Sequence, residues 1–332
     1  MAVEVAAVEA LSFKEYVLFL QHYKGNVYAG LSDGSIWQAF PQQVLVAPSP
    51  SPLVGLAASE HRITFARTDG SIGVFDIDTG RVDTWNAKFP LSSMSTNSQW
   101  VVVGTELVKP DAGVLVYEYP SKKLVREYMD SHSDDVTDVQ FHPSRPSVLI
   151  SGSTDGIVNV YDLNIEDPDE AIYQSVNHNA AIHRIGFLSD NRFFALSQME
   201  TLSIYQVAHP DDDVAEPLPV DFGDLRDSWG CEYVAGFGNS SFLIGSNNER
   251  RLKLVPFKDE QPQLISSFDL SGAHGDEVVR CFAFGEDDAL YTGGEDGYLR
   301  VWRLPTLAKR DSVPPKKSSA RPKKSRDRGR PY

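Results

Sequence analysis

One sequence pattern in the middle of the chain recurs near its end, and this recurrence constrains the fold more than any other feature. The first copy starts at His132 and continues through an apolar run, a Ser-Thr-Asp-Gly turn and the run Ile-Val-Asn-Val-Tyr-Asp, which ends at Asp162. The second copy starts at His274 and ends in Tyr-Leu-Arg-Val-Trp at Trp302. Asp-Gly between β-branched or aromatic runs is typical of a tight turn between antiparallel strands. The chain therefore contains an array of β-sheet units.

The turns of this kind follow one another at a regular spacing. The clear ones are Asp33-Gly34, Asp69-Gly70, Asp155-Gly156 and Asp296-Gly297, and a degenerate turn, Pro-Asp-Ala-Gly, ends at Gly113. Two weaker repeats fill the interval before the last turn, with apolar strands at 182–187, 193–197 and 202–207, and at 232–237, 242–245 and 252–257. A period of roughly 40 residues is typical of the blades of a β-propeller. We therefore predict an all-β, seven-bladed propeller over residues 1–308.

The last repeat contains only three predicted strands, which end near Leu304. The alternating apolar residues Val3, Val5 and Ala7 suit the missing outer strand. Pairing the first residues of the chain with the last blade would remove an open sheet edge. We therefore predict that an N-terminal strand ending near Leu11 closes the ring.

The two clear repeats resemble the WD-repeat family (WD40 type), and they are closer to one subfamily of these proteins than to the general consensus. In this family a His, a hydroxyl, an Asp and an aromatic residue form a structural hydrogen-bond tetrad within a blade. The resemblance therefore implies that such residues are structural here and not catalytic, although Tyr161 stands where the family usually has Trp. The two sets are His132, Ser151, Asp155 and Tyr161, and His274, Thr292, Asp296 and Trp302.

No other set of residues in the sequence suggests catalysis or a cofactor. The acidic runs at 167–170 and 211–213 lack the spacing of a calcium loop. Cys231 and Cys281 do not form a Cys-x-x-Cys pair, and we expect both to be core residues. No stretch approaches the roughly 18 apolar residues of a membrane span. We predict a non-enzymatic protein without a cofactor, a small-molecule substrate or a membrane partner.

Charge is distributed unevenly along the chain. The net charge is −15, but the last 24 residues contain ten Lys or Arg against Asp311 and Asp327, which leaves 21 basic and 44 acidic side chains before residue 309. An acidic body repels nucleic acid and attracts cationic proteins. The alternative is that the acids are solvated loop residues that keep the protein in solution.

Many of these acids fall in loops that a propeller collects on one face. We predict that this face, with an aromatic residue among the carboxylates, binds an extended Lys/Arg-rich peptide or basic protein. The residues assigned to this site are Asp134, Asp135, Asp224, Asp227, Trp229, Asp276, Glu277 and Glu295.

Residues 309–332 are basic, contain four prolines and are almost free of apolar residues. This composition predicts a disordered tail. Its clusters are typical of a nuclear or nucleolar targeting signal or of a phosphate-binding strip, and shuttling to the cytoplasm remains open. They consist of Lys316, Lys317, Arg321, Lys323, Lys324 and Arg326.

Three functions remain open at this point. The favoured one is a scaffold or adaptor that binds a basic protein, such as a chaperone of a ribosomal protein or histone. The second is an RNA-associated ribosome-assembly factor that uses the basic tail. The third is a substrate receptor of a ubiquitin ligase, which is disfavoured because the Trp-Asp-x-Arg motif of that class is replaced at three strand ends by Phe-Asp-Ile-Asp (75–78), Tyr-Asp-Leu-Asn (161–164) and Trp-Arg-Leu-Pro (302–305).

Overall fold

A computed structural model describes residues 2–59, 61–208 and 218–305. The described chain is almost entirely β-structure. Its three short helices are α1 (Pro168–Ala171), α2 (Leu225–Trp229) and a 3₁₀ helix (Leu264–Ser266). None of the helices in these ranges is both long and apolar enough to cross a membrane. The predicted basic tail, 309–332, and the acidic run 211–213 lie outside the described residues.

Five consecutive segments each form a four-stranded antiparallel sheet, and these sheets are blades 1 to 5. Blade 1 contains β2 (Val17–Tyr23), β3 (Asn26–Leu31), β4 (Ile36–Gln38) and β5 (Gln43–Val46). Blade 2 contains β6 (Leu53–Ser59), β7 (Arg62–Arg67), β8 (Ser71–Asp76) and β9 (Val82–Asn86). Blade 3 contains β10 (Leu91–Thr96), β11 (Trp100–Thr105), β12 (Ala112–Glu118) and β13 (Leu124–His132). Blade 4 contains β14 (Asp138–Phe141), β15 (Val148–Gly152), β16 (Ile157–Asp162) and β17 (Ile172–Asn177), and blade 5 contains β18 (Ile182–Ser189), β19 (Arg192–Ser197), β20 (Thr201–Gln206) and β21 (Val220–Asp224).

The remaining strands form one nine-stranded sheet that consists of blades 6 and 7 joined by β1 (Val3–Ser12). Blade 6 contains β22 (Tyr233–Gly238), β23 (Ser241–Ser246), β24 (Arg251–Lys258) and β26 (Phe268–Ser271), with the short β25 (Gln261–Pro262) paired to β24. Blade 7 contains β27 (Val279–Phe284), β28 (Ala289–Gly294), β29 (Tyr298–Arg303) and β1. The weak repeats therefore form blades 5 and 6, with boundaries within two residues of the predicted strands.

The N-terminal strand closes the ring as predicted, and it also pairs with the preceding blade. Residues 3–6 of β1 run parallel to β26, and residues 7–12 run antiparallel to β29, with an irregularity between Ala7 and Glu9. Val5 is buried in a cluster that includes Phe268 and Trp302. β1 thus covers the free edges of two blades at once.

The turn chemistry expected from the sequence is present at four of the five positions. Gly34, Gly70, Gly156 and Gly297 have φ values between 72° and 89°, which favour glycine at these turns. Gly113 does not end a turn, which corrects the expectation; it lies inside β12. A Cβ atom at Gly113 would lie 1.9 Å from the carbonyl oxygen of Tyr128, so this glycine allows β12 and β13 to approach closely.

The apolar core lies between the blades. The first strands of the blades line a central channel, and the side chains of each sheet pack against those of the next. For example, one buried cluster joins Ile150 and Val160 of blade 4 to Ile182 and Phe193 of blade 5. Cys231 lies in such a cluster, and Cys281 packs at the edge of another, so both are core residues as expected.

Candidate interaction surface

The predicted tetrad of blade 4 is present. His132 Nδ1 lies 3.0 Å from Asp155 Oδ2, and His132 Nε2 lies 2.7 Å from Ser151 Oγ. The Ser151 hydroxyl lies 2.9 Å from the hydroxyl of Tyr161. Burial opposes ionisation of Asp155, but its contacts with His132 and with backbone N–H groups hold its pKa below the usual value. The four side chains satisfy one another inside the blade.

The tetrad of blade 7 has the same connections. His274 Nδ1 lies 2.7 Å from Asp296 Oδ1, and His274 Nε2 lies 2.8 Å from Thr292 Oγ1. The indole N–H of Trp302 donates to the same Thr292 oxygen at 3.0 Å. Burial lowers the pKa of His274, so the ring is neutral near pH 7. A neutral ring can donate from Nδ1 to the carboxylate and accept at Nε2 from the hydroxyl, which completes the chain of hydrogen bonds.

Blade 5 contains an incomplete version of this arrangement that the sequence analysis did not identify. His178 lies 3.1 Å from the hydroxyl of Tyr205, which occupies the tetrad position of the third strand. In the sequence, an aromatic residue at this position of a weak repeat indicated the arrangement. In blade 1 the same position is occupied by Ala39, and the hydrogen bond from Trp37 to Ser35 at 2.9 Å stabilises the adjacent turn instead.

The top face consists of the turns between second and third strands and the links from each fourth strand to the next blade. The antiparallel order places these segments at the same end of every blade. The predicted acids belong to four of them. Asp134 and Asp135 lie in the link between blades 3 and 4, and Asp276 and Glu277 lie in the link between blades 6 and 7. Asp224 is the last residue of β21, Asp227 lies in α2 directly after it, and Glu295 lies in a turn of blade 7.

Three of these carboxylates have an arginine partner. The guanidinium of Arg226 forms a fork with Asp224, with Nη2 2.6 Å from Oδ2, and this contact lowers the pKa of Asp224. Arg250 approaches Asp276 at 3.4 Å. Glu295 accepts a hydrogen bond from Arg280 Nε at 2.7 Å. The top face is therefore less acidic than the number of carboxylates suggests.

The other acids of the set differ in how freely they face solvent. Asp135 is partly buried and accepts a hydrogen bond from the backbone N–H of Leu107 at 2.7 Å. It therefore connects the link between blades 3 and 4 to the loop between β11 and β12. Asp134 is also partly buried, and among the described residues it accepts only from the adjacent backbone N–H of Asp135 at 2.8 Å. Asp227 and Glu277 are exposed, and among the described residues neither forms an ion pair. Asp134, Asp227 and Glu277 are therefore the carboxylates available to a partner.

Trp229 is not a surface residue, which corrects its assignment to the binding site. Its side chain is only 5% exposed and packs edge-on against Phe242, with ring centroids 5.3 Å apart. Trp229 is the last residue of α2, and Gly230 ends this helix in the left-handed conformation. The helix directs the ring into the core between blades 5 and 6, where Phe222 and Phe257 complete the aromatic cluster.

The acidic run at 167–170 also has a local structural role. The side chain of Asp167 accepts a hydrogen bond from the backbone N–H of Asp169 and caps the N-terminus of α1. This capping satisfies a free N–H group of the first helical turn.

The central channel contains charged residues that the sequence analysis did not single out. His183 and Arg184 lie on β18, the first strand of blade 5, and both side chains line cavities of the channel. Glu200 lines one of the same cavities, and burial raises its pKa to about 7. In the sequence, the pair His183-Arg184 within an otherwise apolar strand could have indicated these channel residues.

Comparison with known proteins agrees with this architecture. The family model described as "WD domain, G-beta repeat" matches residues 122–162 and 263–303. An uncharacterized WD repeat-containing protein of Saccharomyces cerevisiae is 36% identical over 315 residues, which cover 89% of this chain and 81% of the relative. The WD repeat-containing protein 89 homolog of Dictyostelium discoideum is 31% identical over 71% of this chain and 66% of its own length, in line with the subfamily resemblance of blades 4 and 7.

A solved structure matches over nearly the whole chain. The WD40 β-propeller domain of Doa1 superimposes with a TM-score of 0.65 and covers 91% of this chain and 97% of that domain, at 12% sequence identity. The repeat pattern, the two tetrads, the closed ring and the similarity to these relatives lead to one conclusion: the chain belongs to the WD-repeat family of β-propeller proteins.

Proposed function

We propose that this protein is a non-enzymatic adaptor that captures a basic protein segment on its top face. WD40 propellers typically serve as protein-interaction scaffolds and are typically not enzymes. The observation that carries the finer proposal is a set of top-face carboxylates that have no arginine partner among the described residues: the exposed Asp227 and Glu277 and the partly buried Asp134, on an acidic chain. Such a surface attracts Lys/Arg-rich segments and accelerates their encounter with the protein.

The paired acids do not exclude a basic partner. The side chains of Arg250 and Asp276 are 69% and 70% exposed, and exposed pairs of this kind contribute only about 0–1 kcal/mol. A lysine or arginine of a partner can therefore compete for Asp276 at little cost. A ribosomal protein or a histone has the required charge, and we propose a partner of this class.

The proposal is tested by two triple variants of equal charge. The first combines Asp134→Asn, Asp227→Asn and Glu277→Gln on the top face. The matched control combines Glu286→Gln, Asp287→Asn and Asp288→Asn in the exposed turn between β27 and β28, at the opposite end of blade 7. Fluorescence anisotropy with a labelled Lys/Arg-rich peptide measures the dissociation constant at low and moderate salt.

We expect the top-face variant to bind the peptide about tenfold more weakly and with a smaller salt dependence, because three rim charges are lost. The control variant should bind as the unmodified protein does. Equal weakening in both variants would mean that only the net charge acts, and unchanged binding in both would reject the top-face site.

A second candidate function rests on the basic clusters of residues 316–326. We propose as the alternative that this segment binds RNA during ribosome assembly, or directs the protein to the nucleus or nucleolus. Phosphate contacts of this type weaken steeply with added salt. Capture from a native extract with the full chain and with a chain lacking residues 309–332 separates the two functions. Loss of RNA with retention of a basic protein favours the RNA role for this segment.

A further inference from the structure

We propose that the central channel contains an oxyanion-binding site, built around Arg184, that receives a single carboxylate or phosphate group. This site is independent of the proposed top-face function, because it selects the opposite charge. The inference rests on the contacts of Arg184, on the residues around it and on the shape of the channel.

Arg184 extends from blade 5 into the channel and lies against blade 6, the next blade in the ring. Its side chain lines three adjoining cavities of about 370, 280 and 350 Å³. The guanidinium lies against Gly236 of blade 6, where an added Cβ would be 2.9 Å from Nη1 and 3.2 Å from the ring of Phe282 in blade 7. Gly236 has a φ of 151°, a conformation that favours glycine. The backbone of blade 6 thus leaves room for this cation.

The charge of Arg184 is not matched by a counter-ion. Among the described residues Arg184 forms no ion pair, and its Nε atom is buried without a hydrogen-bond partner. Arg184 as a whole is partly buried, but an N–H group that is buried without an acceptor costs free energy, and a carboxylate or phosphate oxygen would supply that acceptor. A guanidinium also matches such a group geometrically, because it can donate two parallel hydrogen bonds.

The two acids near Arg184 are already engaged elsewhere. Asp138 of blade 4 accepts hydrogen bonds at both oxygens, from the backbone N–H of Ile185 at 3.1 Å and from the side chain of Gln140 at 3.0 Å. Glu200 accepts from the backbone N–H of Val234 at 3.1 Å. Both carboxylates interact with Arg184 through space, but neither is within ion-pair distance. The guanidinium therefore keeps its donors free for a ligand.

Two more donors face the same cavities. His183 Nε2 is buried without a partner, and burial lowers the pKa of this ring to about 4, so it is neutral near pH 7 and can donate one hydrogen bond. Arg280 lines two of the three cavities and is held in place by Glu295. Phe237, Phe282 and Phe284 form the apolar wall. These cavities accommodate one acidic side chain or one phosphate monoester and exclude a folded domain.

The test uses the full-length protein with two probes, inorganic phosphate and glutarate. Binding is followed by NMR of the arginine Nε–H groups and by isothermal titration calorimetry. Arg184→Met removes the guanidinium at similar length, Arg184→Lys keeps the charge without the fork, and Arg81→Met removes an exposed arginine of blade 2 as the matched control. Thermal unfolding curves recorded without a probe show whether each variant is folded.

We expect at least one probe to shift the Arg184 Nε–H signal and to bind the unmodified and Arg81→Met proteins equally. Arg184→Met should bind it about tenfold more weakly or not at all, and Arg184→Lys should fall in between. Preference for phosphate identifies a phosphate source, and preference for glutarate identifies a carboxylate source. If neither probe binds the unmodified protein, or if both Arg184 variants bind as it does, the site does not exist.

Discussion

At the scale of single residues, the buried tetrad of blade 7 shows how polar groups are accommodated in an apolar core. The neutral ring of His274 connects a carboxylate and a hydroxyl, and Trp302 donates to that hydroxyl. Removing the His274 ring takes one partner from Thr292 and one from Asp296, although Trp302 still donates to Thr292 and Arg300 still pairs with Asp296. The cost of an unpaired buried polar group is about 1–3 kcal/mol, so the tetrad contributes mainly by keeping its members satisfied.

The first prediction concerns this histidine. We expect His274→Ala to lower the free energy of unfolding by about 2–4 kcal/mol, because Thr292 and Asp296 lose a partner and a cavity forms. The matched control is His61→Ala, since the side chain of His61 is 59% exposed and its pairing with Asp78 is weak. Urea unfolding measures both variants. Equal stability of His274→Ala and the unmodified protein would contradict the structural role of the tetrad.

The second prediction concerns Glu200, whose pKa burial raises from its ordinary value of 4.5 to about 7. The folded protein therefore binds this proton more tightly than the unfolded chain, so Glu200 makes the protein less stable as the pH rises from about 4.5 to 7. We expect Glu200→Gln to match the unmodified protein near pH 4.5 and to be more stable at pH 8, by at most about 3 kcal/mol.

The comparison requires melting curves of the two proteins across this pH range. Glu9→Gln, which changes an exposed carboxylate of β1, is the control and should follow the unmodified protein at every pH. A constant difference between Glu200→Gln and the unmodified protein at all pH values would show that Glu200 does not titrate in this range.

At the scale of elements, β1 is the strand on which closure depends. It pairs with β26 in one half and with β29 in the other, so it connects blades 6 and 7 through backbone hydrogen bonds. Without it, both neighbouring strands would have an unpaired edge, and the cluster around Phe268 and Trp302 would be open to water.

The third prediction compares two valines of this strand. Val5 is 6% exposed and Val8 is 60% exposed. We expect Val5→Asp to destabilise the protein by about 3 kcal/mol or more, because it buries an unpaired charge, whereas Val8→Asp should change stability by less than about 0.5 kcal/mol. Deletion of residues 1–11 should lower the melting temperature by roughly 10 °C or more. A truncated protein that melts like the full chain would contradict closure by β1.

At the scale of the whole molecule, charge separates into two parts of opposite sign. Residues 309–332 contain ten basic and two acidic side chains, and the remainder of the chain contains 21 basic and 44 acidic ones. A basic segment that is tethered to an acidic body has a high effective concentration around that body, so even weak contacts with top-face carboxylates can compete with a basic partner.

The fourth prediction follows from this competition. We expect removal of residues 309–332 to increase the affinity for a Lys/Arg-rich peptide several-fold at low salt, with the difference disappearing as salt screens the charges. Fluorescence anisotropy with both chain lengths measures the effect. The same deletion in the top-face triple variant should have a smaller effect, and equal affinity of the two chain lengths at all salt concentrations would dismiss competition by this segment.

The sequence by itself determined the repeats and the need for a closing strand, and its resemblance to the WD-repeat family implied the tetrads. The Asp-Gly turns follow from local chemistry, because they require positive φ. The closing strand follows from a missing fourth strand in the last repeat and from the alternating residues of β1, which suit a sheet edge.

Only the tertiary structure decided the properties of the surface and the channel. Arg280 neutralises Glu295 across two strands of blade 7, and Trp229 turns inward because α2 lies over the core. Arg184 and Phe282 both approach Gly236 because blades 5, 6 and 7 pack side by side around the channel. Such contacts join residues far apart in sequence, so no local pattern specifies them, and they decide which charges remain free to bind.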